Sequence, residues 1–343
     1  MPEAGTTAIL LRGSPGCRLI EPRRFTVRED DAGQRVDRFL RKLLVRATLP
    51  AIFKLLRTGR VRVDGGRVKP ERRLDAGEVV EIRLPPDRVA ELLPPRRAEE
   101  AADAAGAVDV VWRDQDVMVV NKPALLPVHP GDAGEADHLI GRVQALVAGE
   151  RRSHTFRPAL AHRLDQGTSG LVLVGLSARG LRGLSAALKA RAVRKEYLAL
   201  VLGSPAEDEG RIDVSLKKRD EDRGRETVVY VSTSKHAAAA DTRWRVMKRG
   251  DGLTLLAVRI VTGRTHQIRV HLAHLGHPIA GDARYGDRLT NERLKGAWGL
   301  WRPFLHAWRL ELDHPVTGER LAVAAPLPRD LVRVLEGVRI PTP

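Results

Sequence analysis

The chain has 343 residues and carries 59 Lys and Arg against 43 Asp and Glu, a formal charge of +16 at pH 7, with one cysteine. That length supports a large core and two domains, and the positive field points to a polyanion, nucleic acid first, although a bias toward arginine codons would raise the charge with no partner at all. The lone Cys17 excludes a disulfide framework and a cysteine zinc site, no apolar run approaches the roughly 20 residues that span a bilayer, and Met1-Pro2-Glu3-Ala4 lacks the basic start of a secretion signal, so a soluble cytoplasmic protein is expected.

Residues 1–24 read as a loose extension. Over 34–45, Val36, Phe39, Leu40, Leu43 and Leu44 fall at helical spacing, with Arg35, Arg38, Arg41 and Lys42 between them. Pro50 opens a second short helix through Ile52, Leu55 and Leu56, which Gly59 ends. Arg60 to Asp64 alternates as a strand, Asp64-Gly65-Gly66 signals a turn, and Val79 to Leu84 alternates again. Two helices followed by a hairpin, with Gln34-Arg35-Val36-Asp37-Arg38-Phe39-Leu40 and Leu56-Arg57-Thr58-Gly59-Arg60-Val61-Arg62-Val63-Asp64-Gly65, resemble the S4 RNA-binding domain over 25–84. The resemblance implies that Arg35, Arg38, Arg41, Arg57 and Arg60 meet RNA phosphates; the plainer alternative is the solvated face that any amphipathic helix carries. Residues 85–107, with Pro85-Pro86, Pro94-Pro95 and an Ala- and Glu-rich run, read as a linker.

A second domain is expected over 108–340. It starts with strands at 108–112 and 117–120, a helix at 139–147 and a buried strand at 171–174. Ser177 caps a helix to Ala192, and a strand follows at 194–201. Strand patterns recur at 211–216, 226–232, 242–247 and 253–261, with a charged loop from Lys217 to Arg225. Thr265 caps a helix to Leu275, strands follow at 304–312 and 320–325, and Asp330 to Val338 is a last helix. Strands dominate and helix-length crossovers are few, which favours an α+β fold with a mainly antiparallel mixed sheet.

The stretch His162-Arg163-Leu164-Asp165-Gln166-Gly167-Thr168-Ser169-Gly170 organises this domain. Gly167 and Gly170 permit a tight turn, the buried strand follows at once, and Asp165 is thereby held on a stiff loop, a placement that suits a reacting carboxylate. From spacing alone, a turn-capping Asp or a pair with Arg163 fits as well. Gly263-Arg264-Thr265-His266-Gln267-Ile268-Arg269-Val270-His271 follows a strand and opens a helix, an anion site for a phosphate or for a carboxylate such as Asp165, which Arg264 would keep ionised. His271, His274 and His277 are too few and too spread for a zinc site, and Tyr197 reads as a half-buried core aromatic. With no Walker loop, dinucleotide fingerprint or nucleophile elbow, no cofactor is expected.

Four stretches together resemble the RluA-type pseudouridine synthases with a leading S4 domain, most of all those acting on large-subunit ribosomal RNA. They are Asn121-Lys122-Pro123 with Val128-His129-Pro130-Gly131, the loop from His162 to Gly170, Lys195-Glu196-Tyr197-Leu198-Ala199, and Gly263 to Arg269; Arg284-Tyr285-Gly286-Asp287 adds to the likeness. The resemblance implies a cofactor-free and metal-free monomer that isomerises uridine in RNA, most of all 23S ribosomal RNA. It implies Asp165 as the essential aspartate, Arg264 as its partner and Tyr197 against the target base. Arg163 would fill the gap left by the flipped uridine, and Lys122, His129, Thr168, Thr265, His266, Gln267 and Arg269 would belong to the RNA contacts. Two residues depart from the family pattern: Gln166 stands where Arg is usual, and Leu125 where Gly is usual. A catalytically dead RNA-binding protein and a glycosidase are the rivals, and the second lacks a clear second carboxylate.

Overall fold

The computed structural model describes residues 21–94, 106–130, 137–150, 153–219 and 228–343. The expectations for residues 1–20, for 95–105 of the linker and for 220–225 of the charged loop lie outside the described residues. Two compact units result, residues 1–104 with 145–157, and residues 105–144 with 158–343.

The smaller unit contains β1 (Arg23–Thr26), α1 (Val36–Leu43), α2 (Leu49–Arg57), β2 (Val61–Val63), β3 (Gly66–Arg67), β4 (Val79–Ile82) and α3 (Pro86–Leu92). Its sheet runs β1-β4-β2-β3, antiparallel throughout. Val36, Phe39, Leu40 and Leu43 make the buried stripe of α1 and meet Ile52, Leu56, Val61, Val80 and Ile82 in one core. Asp64 and Gly65, with φ of 47° and 76°, form the two-residue turn between β2 and β3. The helix α3 corrects the expectation of a linker from residue 85 onward. Pro86 stands in its first turn, where a missing N–H costs nothing, and Val89 is fully buried in the same core. Asp31, fully buried, accepts from Ser153 Oγ at 2.5 Å, His154 N at 2.9 Å, Thr155 N at 3.0 Å and Thr155 Oγ1 at 2.7 Å, which ties residues 153–155 into this unit.

The larger unit holds β5 (Asp109–Arg113), β6 (Val117–Lys122), α4 (Leu139–Leu146, whose last residues belong to the smaller unit), β7 (Ala159–Leu160), β8 (Ser169–Gly175), α5 (Ala178–Lys189), β9 (Arg194–Leu202) and β10 (Glu209–Ile212). Then come β11 (Leu216–Lys218), β12 (Val229–Val231), β13 (Thr242–Arg249), β14 (Leu253–Ile260), α6 (Gln267–His274), α7 (Arg288–Trp298), β15 (Leu305–Asp313), β16 (Arg320–Ala324) and α8 (Arg329–Gly337). A ten-stranded sheet runs β10-β13-β14-β9-β15-β8-β6-β5, with β16 on β15 and β7 on β8. Among the described residues, β8 with β15 is its parallel pair and the remaining pairings are antiparallel, so the α+β assignment holds. All seven residues of β8 are buried, as befits an apolar strand at the middle of the sheet.

Ser177 caps α5 as expected, its Oγ accepting from Gly180 N at 2.9 Å. The cap of α6 differs from the expectation: His266, not Thr265, occupies that position, with a left-handed φ of 53°. The helix α7 is an element the sequence reading left as coil. Asp287 caps it by accepting from Thr290 N at 2.7 Å, and Gly299 ends it with φ of 72°.

Candidate active site

The loop carrying Asp165 leads straight into β8, and three of its carbonyls are held from different directions. Asp165 O accepts from Thr168 N at 3.0 Å. Gln166 O accepts from Leu125 N at 2.8 Å and from Lys122 Nζ at 3.2 Å. Gly167 O accepts from Arg302 Nη1 at 3.2 Å, and that guanidinium, itself buried, also forks onto Asp330 at 2.7 and 3.1 Å. Where β8 begins, Ser169 Oγ pairs with His306 Nδ1 of β15 at 2.9 Å. Gly170, with φ of 113°, passes so close to β15 that a Cβ would lie 2.3 Å from Ala307 O. Only glycine fits there, and this fixes the loop relative to the sheet.

Lys122 is therefore corrected from an RNA contact to a support beneath the loop. It is fully buried, and its Nζ donates to the carbonyls of Pro123 at 2.8 Å, Leu126 at 3.1 Å and Gln166 at 3.2 Å, three acceptors for the three donors of an ammonium. Burial, and then the charge of Arg302, push its pKa down to about 7, while Asp165 pulls the other way.

Asp165 faces a pocket of about 230 Å³ whose walls include Arg163, Thr168, Lys195, Tyr197, Arg264, Thr265, His266, Gln267 and Arg269. These nine residues, from Arg163 to Arg269 in the chain, thus share one cavity, which sits where α6 opens against β9 and β14. The carboxylate keeps 23% of its side chain exposed, and its ion-pair partner is Arg269, with Nη1 3.3 Å from Oδ2. Arg264, expected in that role, turns its Nε to Ala239 O at 3.1 Å instead. The physical reason lies in the start of α6: the left-handed His266 precedes the helix, and Arg269 in the first turn is the arginine directed at the loop.

Arg269 is itself fixed by a fork onto Asp282, Nε to Oδ2 at 2.7 Å and Nη2 to Oδ1 at 2.9 Å, and its guanidinium lies 5.1 Å from the centre of the Tyr285 ring. Burial works to raise the fully buried Asp282, but the Arg269 fork and the backbone N–H groups of Arg284 and Tyr285 outweigh it, so Asp282 lies below the usual carboxylate range. Asp282 and Tyr285 were missed as site residues; the only sequence signal was the Arg284-Tyr285-Gly286-Asp287 run, whose place beside the pocket depends on the tertiary fold.

Tyr197 on β9 is 5% exposed. Burial, and then the charge of Asp165, raise its pKa, which keeps the phenol neutral. Lys195, two residues earlier, also lines the pocket, and burial lowers its pKa. Alternation along the strand carries both side chains to the same face, a signal present in the sequence but unused. Gln267 is 3% exposed and fully engaged: Oε1 accepts from Thr262 Oγ1 at 2.8 Å and Arg264 N at 3.0 Å, and Nε2 donates to Asp241 O and Thr242 Oγ1. It braces the pocket wall. His129 is exposed and stands outside the pocket lining. His271 is a buried core histidine, with Nδ1 2.9 Å from Thr242 Oγ1 and Nε2 3.1 Å from Val214 O. In the smaller unit Arg35, Arg38, Arg57 and Arg60 are all exposed, and Arg35 forks onto Asp37 at 2.7 and 3.1 Å. Among the described residues no helix is long and apolar enough to cross a membrane.

Residues 116–274 match the family model described as RNA pseudouridylate synthase, and residues 34–80 match the S4 domain. The ribosomal large subunit pseudouridine synthase C of Salmonella typhi is 40% identical over 317 residues, covering 90% of this chain and 94% of the relative. The protein of the same name from Escherichia coli strain K12 is 41% identical over the same shares, and that of Pasteurella multocida 37% identical over 328 residues. Among solved structures, human RNA pseudouridylate synthase domain containing 4 matches with a TM-score of 0.57 at 25% identity, over 72% of this chain and 98% of its own. Human RNA pseudouridylate synthase domain containing 1 matches at 0.52 and 26%, over 73% and 100%. Near-complete coverage by relatives at this identity leaves one family for both units: the chain belongs to the RluA-type RNA pseudouridine synthases that carry an S4 domain ahead of the catalytic fold.

Proposed function

We propose that this enzyme converts specific uridines of large-subunit (23S) ribosomal RNA to pseudouridine, with Asp165 as the reacting group. The relatives named as ribosomal large subunit enzymes support the substrate. The observation that carries the catalytic reading is the half-satisfied Asp165 carboxylate, anchored by one arginine and open to a pocket beside Tyr197. In the reaction the N1–C1′ bond of the uridine breaks, the base turns, C5 bonds to C1′, the C5 proton is lost and N1 regains one. Asp165 enters either as a nucleophile toward the nucleoside or as the base that takes a ribose proton to give a glycal. Both routes act through the side-chain carboxylate, which Arg269 holds at 3.3 Å through Oδ2. Tyr197 packs against the turning base, and Arg163 occupies the space the flipped nucleotide leaves; unstacking that nucleotide costs a few kcal/mol. The exposed Arg38, Arg57 and Arg60 of the S4 unit supply salt-sensitive phosphate contacts.

The decisive test maps pseudouridine in ribosomal RNA from cells lacking this gene, complemented with wild type or Asp165→Asn. Sites lost in the deletion, restored by wild type and not by the variant, are the expected result. An unchanged large-subunit map would refute the substrate assignment, and restoration by Asp165→Asn would remove Asp165 from the chemistry.

A further inference from the structure

The two polar neighbours of the Asp165 side chain converge on one oxygen. Arg269 Nη1 is 3.3 Å from Oδ2, and His266 Nε2 is 4.0 Å from the same atom. Among the described residues the hydrogen bond to the Asp165 side chain falls on Oδ2, and Oδ1 accepts none from the protein. The other ring nitrogen of His266, Nδ1, is 2.9 Å from Tyr285 Oη, and that oxygen already accepts from Val229 N at 3.0 Å. With one lone pair taken by Val229, the phenolic proton pairs fully only if Tyr285 donates it to Nδ1. A neutral imidazole that accepts at Nδ1 carries its proton on Nε2. The opposite tautomer would aim a nitrogen lone pair at the carboxylate and leave the phenolic proton without a protein acceptor among the described residues. The left-handed backbone of His266, φ 53°, and the 14% exposure of its side chain hold the ring in this place between Tyr285 and Asp165. Burial, opposed by Asp165, lowers its pKa, in keeping with a neutral ring.

We infer that His266, locked by Tyr285 in the Nε2–H tautomer, is a positioning residue that with Arg269 anchors Oδ2 of Asp165 and leaves Oδ1 as the oxygen that reacts with the uridine. At 4.0 Å the Nε2–H is beyond hydrogen-bond range, and it closes on Oδ2 when RNA fills the pocket. This inference rests on Asp165 being the reacting carboxylate, and its first test is independent of that. In nitrogen-15 histidine spectra of the whole protein, His266 is expected to be protonated at Nε2 and bare at Nδ1. Tyr285→Phe is expected to shift the ring toward the other tautomer. A proton on Nδ1 in the wild type overturns the assignment, whatever the enzyme's activity.

The second test measures turnover on transcribed 23S ribosomal RNA. His266→Phe should lower kcat by about 10- to 100-fold with KM nearly unchanged, and His266→Gln, whose amide N–H reaches a similar point, should recover most of it. A rise in KM with kcat intact, or equal loss in both variants, would show that the ring contacts RNA or merely fills space, and would overturn the positioning role. If Asp165→Asn stays active, it is the catalytic reading that falls, while the tautomer result stands by itself.

Discussion

Asp31, at the end of a one-turn 3-10 helix (Glu29–Asp31), and Asp165, on a loop, are carboxylates of the two units, and they are treated in opposite ways. Asp31 is fully buried and receives four hydrogen bonds of 2.5–3.0 Å from Ser153, His154 and Thr155. Asp165 is 23% exposed, and its side chain accepts one hydrogen bond, at 3.3 Å, from Arg269. A carboxylate with its lone pairs filled by short donors is bound into the structure and has nothing left to react with. A carboxylate held at one oxygen keeps the other for chemistry, and the bonds it lacks are moved to its backbone: the carbonyls of Asp165, Gln166 and Gly167 are all taken. Rigidity of the loop and freedom of the side chain are thus provided by different atoms.

The largest effect that separates the two is expected from Asp165→Asn, which keeps the shape and should reduce single-turnover rates by at least about 10³-fold. RNA affinity and the melting temperature should stay at wild-type values; a matching loss of affinity would mean that the side chain binds rather than reacts. Arg269→Met should lower kcat by about 10²-fold and exceed the loss from Arg264→Met, because Arg269 makes the ion pair. Equal losses in the two variants would erase that distinction. Asp31→Ala should do the reverse of Asp165→Asn, lowering unfolding free energy by about 2.5 kcal/mol through donors left unpaired, with the rate per folded molecule unchanged. Urea titration and a rate measured on the folded fraction separate the two quantities.

A fourth prediction concerns His306, which supports the start of β8 through Ser169. Burial, partly offset by its bond to Ala325 O, pushes its pKa down to about 4 from an ordinary 6.5. The sign follows from proton counting: below 6.5 the unfolded chain takes up a proton that the folded one refuses. The associated stability is present above pH 6.5 and lost as pH falls toward 4, by about 2 kcal/mol at pH 5. Replacing His306 with Asn should flatten that part of the pH dependence, and an unaltered slope would contradict it. The smallest effect is at Leu125, exposed at 53% with φ of 67°. Its N–H and carbonyl pair with Gln166 O and Gln166 Nε2, at 2.8 and 3.0 Å. Leu125→Gly should raise stability by about 1 kcal/mol by removing left-handed strain, seen as a higher melting temperature.

That last contact also marks what was legible in the sequence. Gln166 and Leu125 stood out as two departures from the family pattern, and the fold makes them partners. The helices of the S4 unit and the strands around β8 were readable because apolar spacing and turn chemistry agreed with the tertiary outcome. The helix α7 was not, since Leu294 is its one buried residue among those described and its apolar stripe is too thin to register. Pro85-Pro86 read as an interruption when Pro86 in fact begins α3. Within the site, Asp165 and the stretch around Arg264 were found, but the four residues between Arg264 and Arg269 decide which arginine reaches the carboxylate. The left-handed turn at His266 that decides it has no local signature.

The network around Asp31 also sets a clock. Its donors lie as far as 124 residues further along the chain. On a ribosome adding about 5–20 residues per second, Asp31 is added roughly 6–25 s before Thr155. For that interval the first unit of the protein has its apolar core available but not the partners of its central carboxylate. It cannot complete its fold as an autonomous N-terminal domain, and its last step waits for sequence translated after the catalytic unit has begun.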